Sequence, residues 1–195
     1  MRVLAISGSF RRDSHNTRLL RAAALAPPPG VELELYDGLA VLPPYCEDAD
    51  VDAAPPAVED LRARIADADA LLIATPEYNA SIPGVLKNAI DWASRPFPDN
   101  ALRGKPVAVI GASTGLFGAV WAQAELRKVL HHTGADVVDA ELPVGMADEA
   151  FTPSGELADP ELGLRLRDLI EALGNVREAD ERVEPRNRAP ALRAV

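Results

Sequence analysis

The stretch "DALLIATPEYNASIPGVLKNAIDWAS" (residues 69–94) decides the fold. It opens on an apolar run with no polar alternation, the pattern of a strand buried on both faces. It closes on a helix over 83–94, with Leu86, Ala89 and Ile90 at helical spacing and a proline in the first turn, where its fixed φ fits. Between them lies a knot of turn formers: Pro76, Asn79, Ser81, Pro83 and Gly84. A buried strand, an irregular polar loop and a helix make one βα unit.

Outward from this unit the pattern repeats. "RVLAISGS" (2–9) is a short apolar run ending in a Gly/Ser loop. A helix follows over 14–26, with a capping-type start, Leu19, Leu20 and Ala23 on one side, and a stop at the prolines of 27–29. "VELELY" (31–36) alternates apolar and acidic, as a half-exposed edge strand does. Val58, Leu61, Ile65 and Ala68 mark a helix. "KPVAVIGAS" (105–113) is another buried strand, and a helix over 118–133 closes at Gly134. A last strand spans 135–142, and Leu162, Leu166, Leu169, Ile170 and Leu173 define a final helix closed by Gly174. Five βα repeats with apolar-throughout strands predict an α/β fold: a flavodoxin-like, five-stranded parallel sheet, order 2-1-3-4-5, with helices on both faces. Residues 1–174 are expected to form this single domain, and 175–195 a charged C-terminal tail, partly helical or docked on a partner subunit.

Bulk composition narrows the function. The 195 residues suffice for one full hydrophobic core. A formal net charge of −10 argues against nucleic acid and anionic membrane as partners. No apolar run reaches the ~20 residues of a membrane span, and "MRVLAISGSF" reads as a strand rather than a signal peptide. Cys46 is the sole cysteine, which excludes an internal disulfide framework and fits a cytoplasmic location.

In an open parallel sheet of this order, a ligand sits beyond the C-terminal strand ends, between the first and third strands. Three loops should meet there. The first, "SGSFRRDSHN" (7–16), offers hydroxyls and amides from Ser7, Ser9, Ser14 and Asn16. Gly8 gives close backbone approach, Arg11 a fixed positive fork, and the following helix its N-terminus. That is phosphate chemistry; plain helix capping by Ser14 or Asn16 explains less of it. The second, Pro76, Glu77, Tyr78 and Asn79, can wrap a flat heterocycle, or be an ordinary loop with Tyr78 lidding the core. The third, "ASTGLFG" (112–118), presents Ser113 and Thr114, or is a tight turn needing positive φ at Gly115. No dinucleotide G-x-G-x-x-G and no G-x-x-x-x-G-K-[ST] is present.

Together these loops resemble the NADPH-dependent FMN reductase family, which includes quinone, chromate and azo reductases of flavodoxin-like fold. The likeness is carried by "GSFRRDSHN" (8–16; family pattern G-S-x-R-x-x-S-x-N), "PEYNASIPGVLKNAIDWASR" (76–95) and "GKPVAVIGASTGLFGA" (104–119), and runs from Met1 to about Ala140. Residues 39–56 and the tail take no part in it. The resemblance implies that Ser9, Arg11, Ser14, Asn16 and Thr17 hold the FMN phosphate. It implies that Pro76, Glu77, Tyr78 and Asn79 line the isoalloxazine ring, and that Ser113, Thr114 and Gly115 close the other side. Phe10 stands where the family usually has Leu or another apolar residue, a difference of no consequence to phosphate binding.

The activity implied is NAD(P)H oxidoreduction. Hydride passes from NADPH or NADH to FMN, and a small acceptor then takes its place: a quinone, an azo or nitro compound, a metal oxyanion or free flavin, in a ping-pong cycle. No catalytic side chain and no metal are required, because the flavin carries the chemistry. His131 and His132 read as helix C-terminal residues, His15 as solvent-facing, Cys46 as a loop or core residue, and the acidic residues 47–52 as a solvated loop. Val85, Leu86, Ala89, Ile90 and Trp92 give the 83–94 helix apolar surface on more than one side. That surface could pair with the same helix of a second subunit, against the alternative of a helix buried within one chain, and the resemblance, to a family typically dimeric or a dimer of dimers, implies association. An FMN electron carrier needing a partner reductase is the competing reading, and Arg11 speaks for the enzyme. A flavin-free scaffold would have no need of three intact loops.

Overall fold

The computed structural model describes residues 1–50 and 54–182, the last six by their backbone. The strands are β1 (Arg2–Ser7), β2 (Glu32–Tyr36), β3 (Ala70–Ala74), β4 (Pro106–Ala112) and β5 (Asp136–Val144). The helices are α1 (His15–Leu25), α2 (Pro56–Asp67), α3 (Gly84–Ala93), α4 (Val120–His132) and α5 (Pro160–Arg182). The sheet order is β2-β1-β3-β4-β5 and every pairing is parallel, as the alternation predicts. The acidic alternation of β2 puts it at the edge with Glu32 and Glu34 exposed.

The period-2 geometry of strands splits the core into two layers. Leu4, Ile6, Leu71, Ile73, Val107 and Val109 face α2, α3 and α4. Val3, Ala5, Ala70, Leu72, Ala108 and Ile110 face α1 and α5. β3 and β4 are buried along their whole length, which is why they read as unbroken apolar runs.

Two expectations are corrected. The final helix does not close at Gly174 but continues to Arg182, so residues 175–182 of the expected tail are helical. A helical glycine costs only about 1 kcal/mol. Val176, two residues beyond, still packs on the α5 face of the core. Residues 183–195 lie outside the described residues.

The second correction concerns α3. Its additional apolar side is covered by its own chain, not left for a partner. The segment after β2 crosses it, and Trp92, fully buried, donates from Nε1 to Pro43 O at 2.8 Å. Asn88 donates to the same carbonyl at 2.9 Å and accepts from Tyr45 N at 2.7 Å. The Tyr45 ring meets Trp92 edge-on at 4.9 Å. Asp50, from the acidic run expected to be solvated, is instead half-buried in an ion pair with Arg62 at 2.7 Å. Of the five apolar side chains named on α3, Val85 alone is exposed. The long proline-rich loop thus acts as a second covering layer for α3.

Replacing Trp92 by Ala empties this junction and leaves Pro43 O with one donor. The expected loss is about 3–5 kcal/mol in chemical denaturation. A pH effect accompanies β2: burial, and next the Asp60 carboxylate, push the Tyr36 hydroxyl pKa up. Its contribution is complete below the ordinary value of 10.0 and is lost as pH rises above it. Urea midpoints taken from about pH 8 to about pH 11 should fall less steeply in Tyr36→Phe than in the parent.

Candidate functional site

The C-terminal ends of β1, β3 and β4 bring the three predicted loops to one edge of the sheet. Gly8 follows β1 and its N–H donates to Ala74 O at 2.8 Å, prolonging the β1–β3 pairing into the loops. A Cβ at Gly8 would stand 3.0 Å from Leu86 Cδ2 and 3.3 Å from Pro76 Cδ. Only glycine lets the first and second loops approach this closely.

Ser14 is the N-cap of α1; its buried side chain accepts from Thr17 N at 3.2 Å. The Thr17 hydroxyl meets Ser7 Oγ at 2.9 Å. The first-turn N–H groups of His15 and Asn16 have no intrahelical acceptor available to them, so the helix presents donors and its positive end to the loop. Arg11 is exposed beside it and enters no ion pair among the described residues. Ser9 is half-buried at the loop's start. These residues meet as the sequence predicts, and the donor set suits a phosphate monoester.

Asn16 does something the sequence did not announce. Its Nδ2 donates to Ala112 O at 2.9 Å and its Oδ1 accepts from Ala112 N at 2.9 Å. The side chain is buried and holds the last residue of β4 through both its amide nitrogen and its oxygen. Its backbone N–H, in the first turn of α1, has no intrahelical acceptor. His15 is also not solvent-facing. Its side chain is 10% exposed, with Nε2 3.2 Å from Asp148 Oδ1, and its ring lies parallel to that of Phe151. The segment after β5 folds back over the start of α1 and covers it.

The second loop is a tight turn. Tyr78 and Ser81 exchange N–H···O bonds of 3.0 and 3.1 Å, and Asn79 and Ala80 between them are both left-handed, with φ of 53° and 59°. Two consecutive left-handed residues are the pattern of a type I′ turn. Pro76 is buried, while Tyr78 and Asn79 project from the turn and are exposed. Glu77 turns inward, and its Oε2 accepts from Ala122 N at 3.0 Å, capping α4. α4 needs that help because its own N-cap, Ala119, has no side-chain acceptor and is left-handed at φ 61°.

The third loop leans on β5. Ser113 N donates to Val144 O, Met146 N to Gly115 O and Ala147 N to Ser113 O, at 3.0–3.1 Å. Gly115 does not take the positive φ of the tight-turn reading; Gly118 does, at 55°, where a Cβ would stand 2.5 Å from Pro143 and Val144 backbone atoms. Ser113 is half-buried, and Thr114 and Gly115 are exposed. Sequence reasoning passed over the apolar rim here: Leu116, Phe117, Trp121 and Met146 are all more than half exposed, with Phe117 and Trp121 in edge contact at 5.2 Å. Apolar residues inside loops were the available signal. Among the described residues no cluster of His, Cys, Asp and Glu could hold a metal, and no helix is long and apolar enough to cross a membrane.

The Asn16 bracket is testable by a near-isosteric change. Asn16→Asp keeps an acceptor for Ala112 N but sets a carboxylate oxygen against Ala112 O. It should destabilise the chain by about 2–3 kcal/mol in urea titration and weaken any ligand held by the first loop.

Comparison with known proteins agrees with this fold. Residues 1–149 match the family described as NADPH-dependent FMN reductase. An NAD(P)H-dependent FMN reductase of Pseudomonas aeruginosa is 45% identical over 174 residues, covering 89% of this chain and 93% of that protein. A 2-hydroxy-1,4-benzoquinone reductase of Burkholderia sp is 46% identical over 129 residues, 66% of this chain and 69% of that one. Among solved structures, FerB, a flavoenzyme NAD(P)H:(acceptor) oxidoreductase of Paracoccus denitrificans, aligns with a TM-score of 0.79 at 38% identity, over 91% of this chain and 97% of the other. With its flavodoxin-like sheet, its three converging loops and a family match over most of its length, the chain belongs to the NADPH-dependent FMN reductase family, oxidoreductases that use FMN and NAD(P)H.

Proposed function

We propose that this chain oxidises NADPH or NADH and reduces a small acceptor of the quinone class, with FMN held at the three-loop edge of the sheet. The observation that carries the reading is the first turn of α1. It combines backbone donors without intrahelical acceptors, a cap that orders them, and an exposed Arg11 alongside that enters no ion pair among the described residues. In this reading the phosphate lies on Ser9, Arg11, Ser14, Thr17 and the N–H of Asn16. The ring lies against Pro76, the Glu77 backbone, Tyr78 and Asn79 on one side and Ser113, Thr114 and Gly115 on the other.

Bound flavin supplies the hydride-accepting centre. The residues of the chain do the rest. Arg11 and the α1 N-terminus neutralise the phosphate. Gly8 lets the first two loops close on each other, and the interlocked third and β5 loops keep the crevice rigid. No side chain is needed to move a proton. The acceptor follows the nicotinamide into the same shallow crevice, which makes the cycle ping-pong. Azo and nitro compounds, metal oxyanions and free flavin meet the same planar, open surface. The benzoquinone-reducing relative supports the quinone class as the first to assay. The exposed rim of Leu116, Phe117 and Trp121 favours a homodimer or dimer of dimers formed there rather than along α3. One exposed cysteine, Cys46, fits work in a reducing cytoplasm.

The test is the visible spectrum of the FMN-loaded protein under anaerobic NADPH and then NADH. Bleaching within seconds, and recovery of the yellow colour on adding a benzoquinone, is the expected result. A flavin that stays oxidised would make the protein a carrier, and failure to bind FMN would remove the site altogether. Arg11→Ala should raise the Kd for FMN by roughly tenfold or more, the worth of a charge-assisted bond to phosphate.

A further inference from the structure

Phe10 is left unused by the FMN site. It is 50% exposed, directly after Ser9 in the first loop, and it borders a groove of about 380 Å³ between α1 and the edge strand β2. That volume lies within the range of small-ligand sites, roughly 300–1,000 Å³. The groove adjoins the phosphate loop, since Ser9 and Thr17 line it together with Arg21, Tyr36 and Asp37. Arg21 is exposed and enters no ion pair among the described residues, in a chain with a net charge of −10. Asp37 stands immediately after β2, at the N-cap of a 3₁₀ turn that its side chain does not cap.

Each of these groups matches one part of an adenylate. An exposed aromatic face takes a purine by stacking. A free guanidinium takes a phosphate. A carboxylate just beyond the second strand accepts from a ribose diol, the same device that dinucleotide-binding α/β folds use. Because Ser9 and Thr17 belong both to the groove and to the first loop, a ligand in the groove lies beside whatever phosphate sits on the first turn of α1.

We propose that this groove is an adenylate subsite, so that the chain accepts FAD as well as FMN, with the flavin phosphate on the α1 N-terminus and the adenylate half on Phe10, Arg21 and Asp37. This rests on the FMN reading of the three loops. It also makes Phe10, an exposed aromatic of the first loop, a specificity-determining side chain.

Titration of flavin-free full-length protein with FMN and with FAD, followed by quenching of flavin fluorescence, is the experiment. The parent should bind FAD at least as tightly as FMN. Phe10→Ala and Arg21→Ala should each weaken FAD by roughly tenfold while changing FMN by less than about twofold. FAD binding tenfold weaker than FMN in the parent would overturn the proposal, as would variants that leave FAD unchanged or weaken both flavins equally. The KM for NADPH of the FMN-loaded variants separates the other source of an adenylate. It should stay at the parent value; a rise in that KM with FAD affinity unchanged would give the groove to the co-substrate and overturn the FAD assignment. Failure of the parent to bind either flavin would bring down the FMN reading itself, whereas FMN binding without FAD brings down only this inference.

Discussion

The bracket between Asn16 and Ala112 holds the functional edge of the molecule together. Two residues 96 positions apart are joined by a donor and an acceptor on a single buried amide, each at 2.9 Å. Ala112 ends β4 and Asn16 lies in the first turn of α1, so the bond ties the helix that would receive a phosphate to the strand whose loop forms the opposite wall. β3 lies between β1 and β4 in the sheet, and its loop is therefore enclosed by the bracketed pair. Buried, such a bracket is strong because its alternative is two orphaned backbone groups. Helix, strand and crevice width are set by one side chain.

The other loops are secured by similar economy. Glu77 leaves its turn to cap α4 at Ala122 N, which fixes the second loop to the helix after the third. The third loop pairs with the backbone beyond β5 at Ser113, Gly115 and Ala147. The close backbone approach at Gly118 and Gly145, where a Cβ would meet Pro143, Val144 or Leu116 atoms within 2.5 Å, explains the glycines there. A site of this kind offers fixed dipoles and hydroxyls. It fits chemistry that a bound cofactor supplies and the protein orients.

Electrostatics and surface give the site its direction. The chain is strongly acidic, yet the stretch from Ser9 to Arg21 carries four arginines against one acid, Asp13. Such a stretch suits anionic ligands, in a chain whose net charge is −10. The apolar rim of the third loop stands beside it, and α3, once closed by Pro43 and Tyr45, adds little apolar surface of its own.

The sequence by itself determined the strand order, the edge position of β2 and the meeting of three loops, because these follow from local periodicity and from the rules of parallel βα connection. It also marked the first loop as a candidate phosphate cradle, since Ser, Arg and a helix start lie within a few residues of one another. What only the tertiary structure decided were the partners of polar side chains across long separations. Asn16 was legible as a ligand donor or a cap, but not as a clamp on β4. Glu77 was legible as a wall, but not as a cap for α4. The second apolar side of α3 looked the same in sequence whether another subunit or residues 42–50 covered it. The 175–182 segment looked like tail because a glycine and charged residues precede its end, yet packing of Val176 carried the helix through. Periodicity encodes which face is buried; it does not encode what buries it, and that is settled only when distant parts of the chain compete for the same surface.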